Sequence, residues 1–172
     1  MRMASRAGYR AQALVEFAVV SPFLLLILFG FLDFGLYQVT SLSLAAANRA
    51  GDRYAAVAPL AYSNSTPASS GTIEGTVQEN ALLATIPTSA IAIAYFLPAA
   101  GTSLVPCGSY SFSTDSFVPN TGYTQSTCLV QGVTVVEVTS SCRYMPMTPL
   151  LWNLAPHGIL LTSTYFLMTE QT

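Results

Sequence analysis

Lysine is absent from this 172-residue chain, and charge of either sign is scarce: six arginines and eight acids, 8% of the residues. Soluble domains carry about 25%, so much of this chain is not built to meet water through charge. Three of the arginines fall within the first ten positions, and beyond them three arginines face all eight acids. That balance leaves no basic patch to neutralise phosphates and excludes nucleic acid as a partner. Histidine occurs once, His157 between Pro156 and Gly158, with no motif around it. The three cysteines, Cys107, Cys128 and Cys142, show no CxxC spacing. One histidine and no such pair leave a metal centre without a ligand set. GxSxG, HExxH, P-loop and GxGxxG patterns are missing as well. The expectation is a protein that is not an enzyme and holds neither cofactor nor metal.

What the chain does have is a long apolar run. From Phe17 to Leu32 only Ser21, Pro22 and Gly30 interrupt it, and Glu16 and Asp33 fence it. With its flanks, Ala13-Leu14-Val15 and Gly35-Leu36, it reaches the ~20 residues that a helix needs to cross a bilayer. Arg2, Arg6 and Arg10 precede it and acids predominate after it. The positive-inside rule then puts the N-terminus in the cytoplasm and the rest outside, a single-pass protein of the cytoplasmic membrane. The cysteines all fall on the outer side, where a disulfide can persist. Cys107–Cys128 is the first candidate, closing a Ser/Thr/Tyr-rich loop, with 128–142 as the alternative; Cys142 in a strand-like run suits a small apolar role.

Helix-compatible sequence continues from Asp33 to Pro59, so the helix outruns the membrane and its second half must pack on something. Arg49 and Asp52, three apart, are expected to pair on its surface. Residues 59–71 read as a polar Pro/Ser/Gly linker. Thr72 suits the cap of a short helix with Glu74 in its first turn and Pro87 as its stop. From Ala90 the apolar period changes to two: Ile91, Ile93, Tyr95 and Leu97 alternate with smaller or outward positions. Residues 101–125 look loop-like, with a small strand around Ser109–Phe112. The clearest strand puts Val136, Val138, Cys142 and Tyr144 on one face, and Ile159 to Met168 forms the last. The fold class is α+β: a long N-terminal transmembrane helix, a short second helix and a three- to four-stranded antiparallel sheet. The expected organisation is a basic leader at 1–11, a long helix at 12–58 crossing the membrane at about 14–36, the linker at 59–71, and an extracytoplasmic α+β domain at 72–172.

Glu16 is the residue that asks for a reason, because an ionised carboxylate in mid-bilayer costs roughly 2.5–3.5 kcal/mol on insertion scales. Three readings cover the first fifty residues. A secretory signal peptide would be cut near Leu44-Ala45-Ala46-Ala47, leaving Asn48 first, but the apolar run ends too early for that. A plain signal anchor explains neither Glu16 nor the helical continuation. The third reading accounts for both. The segment Arg10-Ala11-Gln12-Ala13-Leu14-Val15-Glu16-Phe17-Ala18-Val19-Val20 resembles the class III signal of type IV pilins, in which Glu stands fifth after the scission. The wider stretch, AQALVEFAVVSPFLLLILFGFLDFGLYQ followed by AAANRAGDRYAA, is similar to the TadE family of pilin-like proteins from Tad (tight adherence) systems. Tyr144-Met145-Pro146 and Thr148-Pro149-Leu150-Leu151 before a closing apolar strand extend the similarity, less diagnostically. Ala11 stands where that family commonly has Gly.

The resemblance implies a pilin-like fold and cleavage between Ala11 and Gln12 by a membrane prepilin peptidase. It makes Glu16 and Phe17 part of a processing and assembly motif. It also implies membrane lipid, other pilin-like subunits and a pilus assembly platform as partners. The implied function is that of a minor pilin or pseudopilin in a Tad/Flp-type pilus or related secretion or adhesion complex. The alternatives are a major subunit that self-assembles into a filament, and an unprocessed membrane-anchored binding domain.

Overall fold

The computed structural model describes residues 5–99, 103–153 and 155–170, with side chains from Gln12 onward except those of 149 and 150. Residues 1–4 of the expected leader, and the side chain of Ala11, lie outside the described residues. One helix, α1 (Ser5–Val57), runs through the whole apolar segment and Pro22 without a break. Residues 12 to 32 are exposed along almost its entire length: Leu14, Phe17, Phe23, Phe31 and their neighbours have no protein cover. Further along, Leu44, Ala47, Ala55 and Ala56 become buried, so the helix changes from an uncovered rod to a core element. With Asn48, Gly51 and Asp52, also buried, they recur at three- and four-residue spacing and so share one face.

The short helix α2 (Ile73–Asn80) begins where the sequence indicates: the Thr72 hydroxyl accepts the Gly75 amide at 3.1 Å. It lies against α1 so closely that a Cβ on Gly51 would stand 2.3 Å from Cγ2 of Val77. It ends at Asn80 rather than extending to Pro87. Residues 59–71 are more than a spacer. Ser63 is buried, the Ala61 carbonyl accepts the Ile73 amide at 2.8 Å, and the Tyr62 hydroxyl meets that of Tyr95 at 2.6 Å.

Five strands follow: β1 (Ile91–Pro98), β2 (Leu104–Ser111), β3 (Ser116–Pro119), β4 (Val135–Tyr144) and β5 (Ile159–Met168), with a one-turn helix α3 (Gln125–Cys128) before β4 and another, α4 (Pro149–Trp152), before β5. They form one antiparallel sheet in the order β3-β2-β1-β4-β5. This corrects the expected strand count: the small strand placed around Ser109–Phe112 is the end of a longer β2, and the segment read as loop also supplies β3. Their sequences, LVPCGSYS and SFVP, carry Pro, Gly and Ser in place of alternating apolar residues; β3 is the edge strand, and in β2 next to it Pro106 falls at an irregularity in the ladder. Pro106 pairs with Phe96 where the register shifts. Ile91, Ile93 and Tyr95 of β1, and Val136, Val138, Ser140, Cys142 and Tyr144 of β4, turn inward onto α1 and α2. β5 buries only Leu161 fully among its own residues and closes the other edge.

Candidate functional site

The candidate residues lie on the apolar stretch of α1, which is long and apolar enough to cross a membrane, and where that stretch meets the folded domain. Glu16 stands on the exposed part of α1, one turn after Gln12, whose side-chain amide donates to it at 3.1 Å. Its neighbours Leu14, Val15 and Phe17 are each about two-thirds exposed, so the carboxylate sits within an uncovered apolar stripe. Residues of this kind can be satisfied only by lipid, by solvent or by another chain.

Asp33 stands at the other end of the span, where the sequence shows it only as a fence to the apolar run. It is 4% exposed and holds the domain onto the helix. Its Oδ1 accepts the Met147 amide at 2.8 Å, and its Oδ2 accepts the Thr148 amide at 3.0 Å and the Thr148 hydroxyl. The Tyr144 hydroxyl donates to the Asp33 backbone carbonyl at 3.0 Å, and Tyr37 packs edge-on against the Tyr144 ring at 5.8 Å. One carboxylate thus caps the turn that leaves β4, a role suited to an ionised acceptor facing several donors. Cavities of about 310 and 270 Å³ flank this clamp. Gly30, Phe34 and Ile159 contribute to the first, and Phe29, Leu32 and Met147 to the second. Glu16 and Asp33 are ~25 Å apart along the helix and do not act as a pair.

A second fastening lies higher on α1. Asn48 is fully buried; its amide donates to the Ser163 carbonyl, and its Oδ1 accepts the Ser140 hydroxyl at 2.5 Å, joining the helix to β4 and β5 at once. Arg49 and Asp52 do not form the expected surface pair. The Arg49 guanidinium lies 4.9 Å over the Tyr165 ring, while Asp52 points inward and is 3% exposed. Its Oδ1 has no hydrogen-bond partner among the described residues. Burial, and then the charge of Glu137, pushes the Asp52 carboxyl up to about 7.

Behind α2 lies a buried polar cluster. Glu74 accepts the Ser63 amide at 3.1 Å, and burial lifts its carboxyl to about 7. Tyr62 stacks on Tyr110 at 4.4 Å, and Tyr110 donates to Asp115 at 2.7 Å. Its hydroxyls are already engaged with one another and with carbonyl or carboxylate oxygens, which marks it as an internal brace. Cys107 and Cys128 are joined as a disulfide that ties β2 to α3, and Cys142 is a buried free thiol. His157 is exposed, its carbonyl accepting Arg143 at 2.9 Å. Among the described residues no three His, Cys, Asp or Glu are grouped to hold a metal ion.

Sequence reasoning missed Asp33, Asn48, Met147 and Thr148 as fastening residues. The one signal that pointed near them was the Tyr144-Met145-Pro146 and Thr148-Pro149 pattern, which proves to be the turn that Asp33 holds.

A protein-family model described as TadE-like protein matches residues 11–53. The match begins at Ala11, includes Glu16, Asp33, Asn48 and Asp52, and stops within α1, so it covers the helix and leaves the sheet outside. No curated protein and no solved structure matches the chain.

Proposed function

We propose, starting from that TadE-like helix, that the chain is a minor pilin or pseudopilin of a Tad/Flp-type pilus or a related secretion or adhesion assembly. A prepilin peptidase cuts between Ala11 and Gln12 on the cytoplasmic side and leaves Gln12 as the new N-terminus. The helix from Gln12 onward holds the protein in the membrane as a single pass, with the sheet domain outside. The chain acts by packing, not by catalysis. In the assembly the terminal amine of a neighbouring helix faces Glu16, turning a costly lone charge into a pair within apolar surroundings.

The observation that carries this reading is Glu16 itself: a carboxylate on an uncovered apolar helix face, five positions into the expected mature chain. Burial of Leu44, Ala47 and Asn48 in the domain core supports it against cleavage near Asn48, which would cut through packed helix. Glu16→Ala removes the charge that lipid disfavours. It should insert at least as well as the parent and lose cross-linking to pilin-like subunits. Undiminished cross-linking of that variant would contradict the proposal, and fibres formed by the purified chain alone would favour a major subunit instead.

A further inference from the structure

The domain's lower rim, the turn after β4 and the start of β5, meets α1 at Asp33, where the apolar span ends. From Gln12 to Asp33 the helix rises ~32 Å, close to the ~30 Å of a hydrocarbon core. The amides of Met147 and Thr148 are bonded to the Asp33 carboxylate, so these residues are held within a few ångströms of the same level. Their surroundings are unusually apolar for an exposed surface. Met147 is 73% exposed, Leu160 63% and Trp152 52%. The grooves between this rim and the helix carry Phe29, Leu32 and Phe34 on the helix side, continuous with the uncovered span. Charge is distributed to match. Between Glu137 and Glu170 there is no acidic residue, and the only ionisable bases are Arg143 and His157, although the chain past its leader is acidic. The distal end holds acids instead: Glu170 donates its amide to the Ala56 carbonyl, and Glu137 faces Asp52.

We infer that this rim is a lipid-docking surface. Met147, Trp152 and Leu160 enter the headgroup–acyl boundary of the leaflet on the domain's side, and Arg143 lies at the level of the lipid phosphates. The inference rests on α1 spanning the membrane, as proposed above. An indole at that depth keeps its ring in apolar surroundings, and its N–H is already satisfied by the Pro146 carbonyl at 2.6 Å. Asp33 is buried and engaged by Met147 and Thr148, so residues 143–160 expose no acid to repel anionic lipid, and Arg143 favours it. Acyl chains fill the grooves beside Asp33 and keep water from the clamp. The sheet domain then stands on the membrane at a fixed height and does not swing from a stalk.

Trp152 is the only tryptophan, so its fluorescence reports this one position. The test uses the full chain in vesicles of phosphatidylcholine and phosphatidylglycerol, with integration checked by resistance to alkaline carbonate. Lipid brominated high on its acyl chains should quench Trp152 about twofold or more, lipid brominated at the chain ends much less, and aqueous acrylamide little. Leu160→Asp, a change at an exposed position outside the Asp33 clamp, should lower the bromolipid quenching and raise that by acrylamide. Integrated protein whose tryptophan is open to acrylamide and blind to bromolipid overturns the inference and leaves the anchor intact. So does a tryptophan shielded from both quenchers in proportion to protein density, which would mean that a second copy covers the rim. Chain released by carbonate would overturn the anchoring itself.

Discussion

Replacing Asp33 isolates the contact that orders the domain relative to its helix. In the parent chain the carboxylate accepts two amides, at 2.8 and 3.0 Å, and the Thr148 hydroxyl. Hydrogen bonds to an ionised group contribute about 1.5–3 kcal/mol each, and three bonds sharing one acceptor are less than additive. Asp33→Ala should therefore ease local opening of the 145–148 turn by roughly 3–5 kcal/mol, a factor of about 10² to several times 10³ in amide protection. Asp33→Asn should do nearly as much, since it removes the charge and aims an NH₂ group at one of the donors. Thr148→Val, which removes the hydroxyl alone, should cost about 1 kcal/mol. The assay is hydrogen exchange of the full chain in nanodiscs, read on peptides covering 144–153 and compared with β1. The parent should protect the Met147 and Thr148 amides, and both Asp33 variants should expose them while β1 stays unchanged. Unaltered protection in the first region, or equal losses in both, would refute the clamp.

Two further outcomes follow from the same contacts. The Asp52 carboxyl stands near 7 in the folded chain against an ordinary 3.8, so the folded state keeps a proton that the unfolded state releases. Stability is therefore unaffected below the ordinary value, falls as pH rises between the two, and stays lower above 7, by an amount on the order of a few kcal/mol. Asp52→Asn should flatten that fall and be more stable than the parent above neutrality, as measured by denaturant unfolding in detergent at about pH 5 and about pH 8. A variant less stable than the parent on the alkaline side would contradict the burial argument. Reducing the Cys107–Cys128 bond should cost roughly 3 kcal/mol by the chain-entropy estimate. Proteolysis should then begin in the β2–β3 edge, while the α1–β4 packing stays resistant; simultaneous loss of both would show that the edge is not a separate unit of stability.

The sequence announced the elements whose side chains carry a period. The apolar span, β1 with Ile91, Ile93 and Tyr95, and β4 with Val136 and Val138 were all legible, because burial on one face repeats at a spacing that can be read. The hairpin β2–β3 was legible only in the small strand around Ser109–Phe112, the end of β2. Its pairing is carried by backbone groups, and its Ser, Gly and Pro residues carry no apolar alternation. Asp33 was visible as a charge beside an apolar run, but its role was not. Its partners are backbone amides 114 and 115 positions away, and an amide has no letter of its own. For the same reason Arg49 and Asp52, adjacent on a helical net, suggested a pair with each other. The sheet instead offers Tyr165 to one and draws the other inward. The span of the TadE-like match has the same limit, ending within α1 before the domain that α1 helps to hold.

The most direct measurement for the central claim is the mass of the N-terminal peptide of the chain taken from membranes, with and without the prepilin peptidase. The account predicts a mature chain starting at Gln12, open or cyclised, that gives way to the full leader when the peptidase is removed. A functional molecule that keeps its first eleven residues, or one that starts near Asn48, would contradict it.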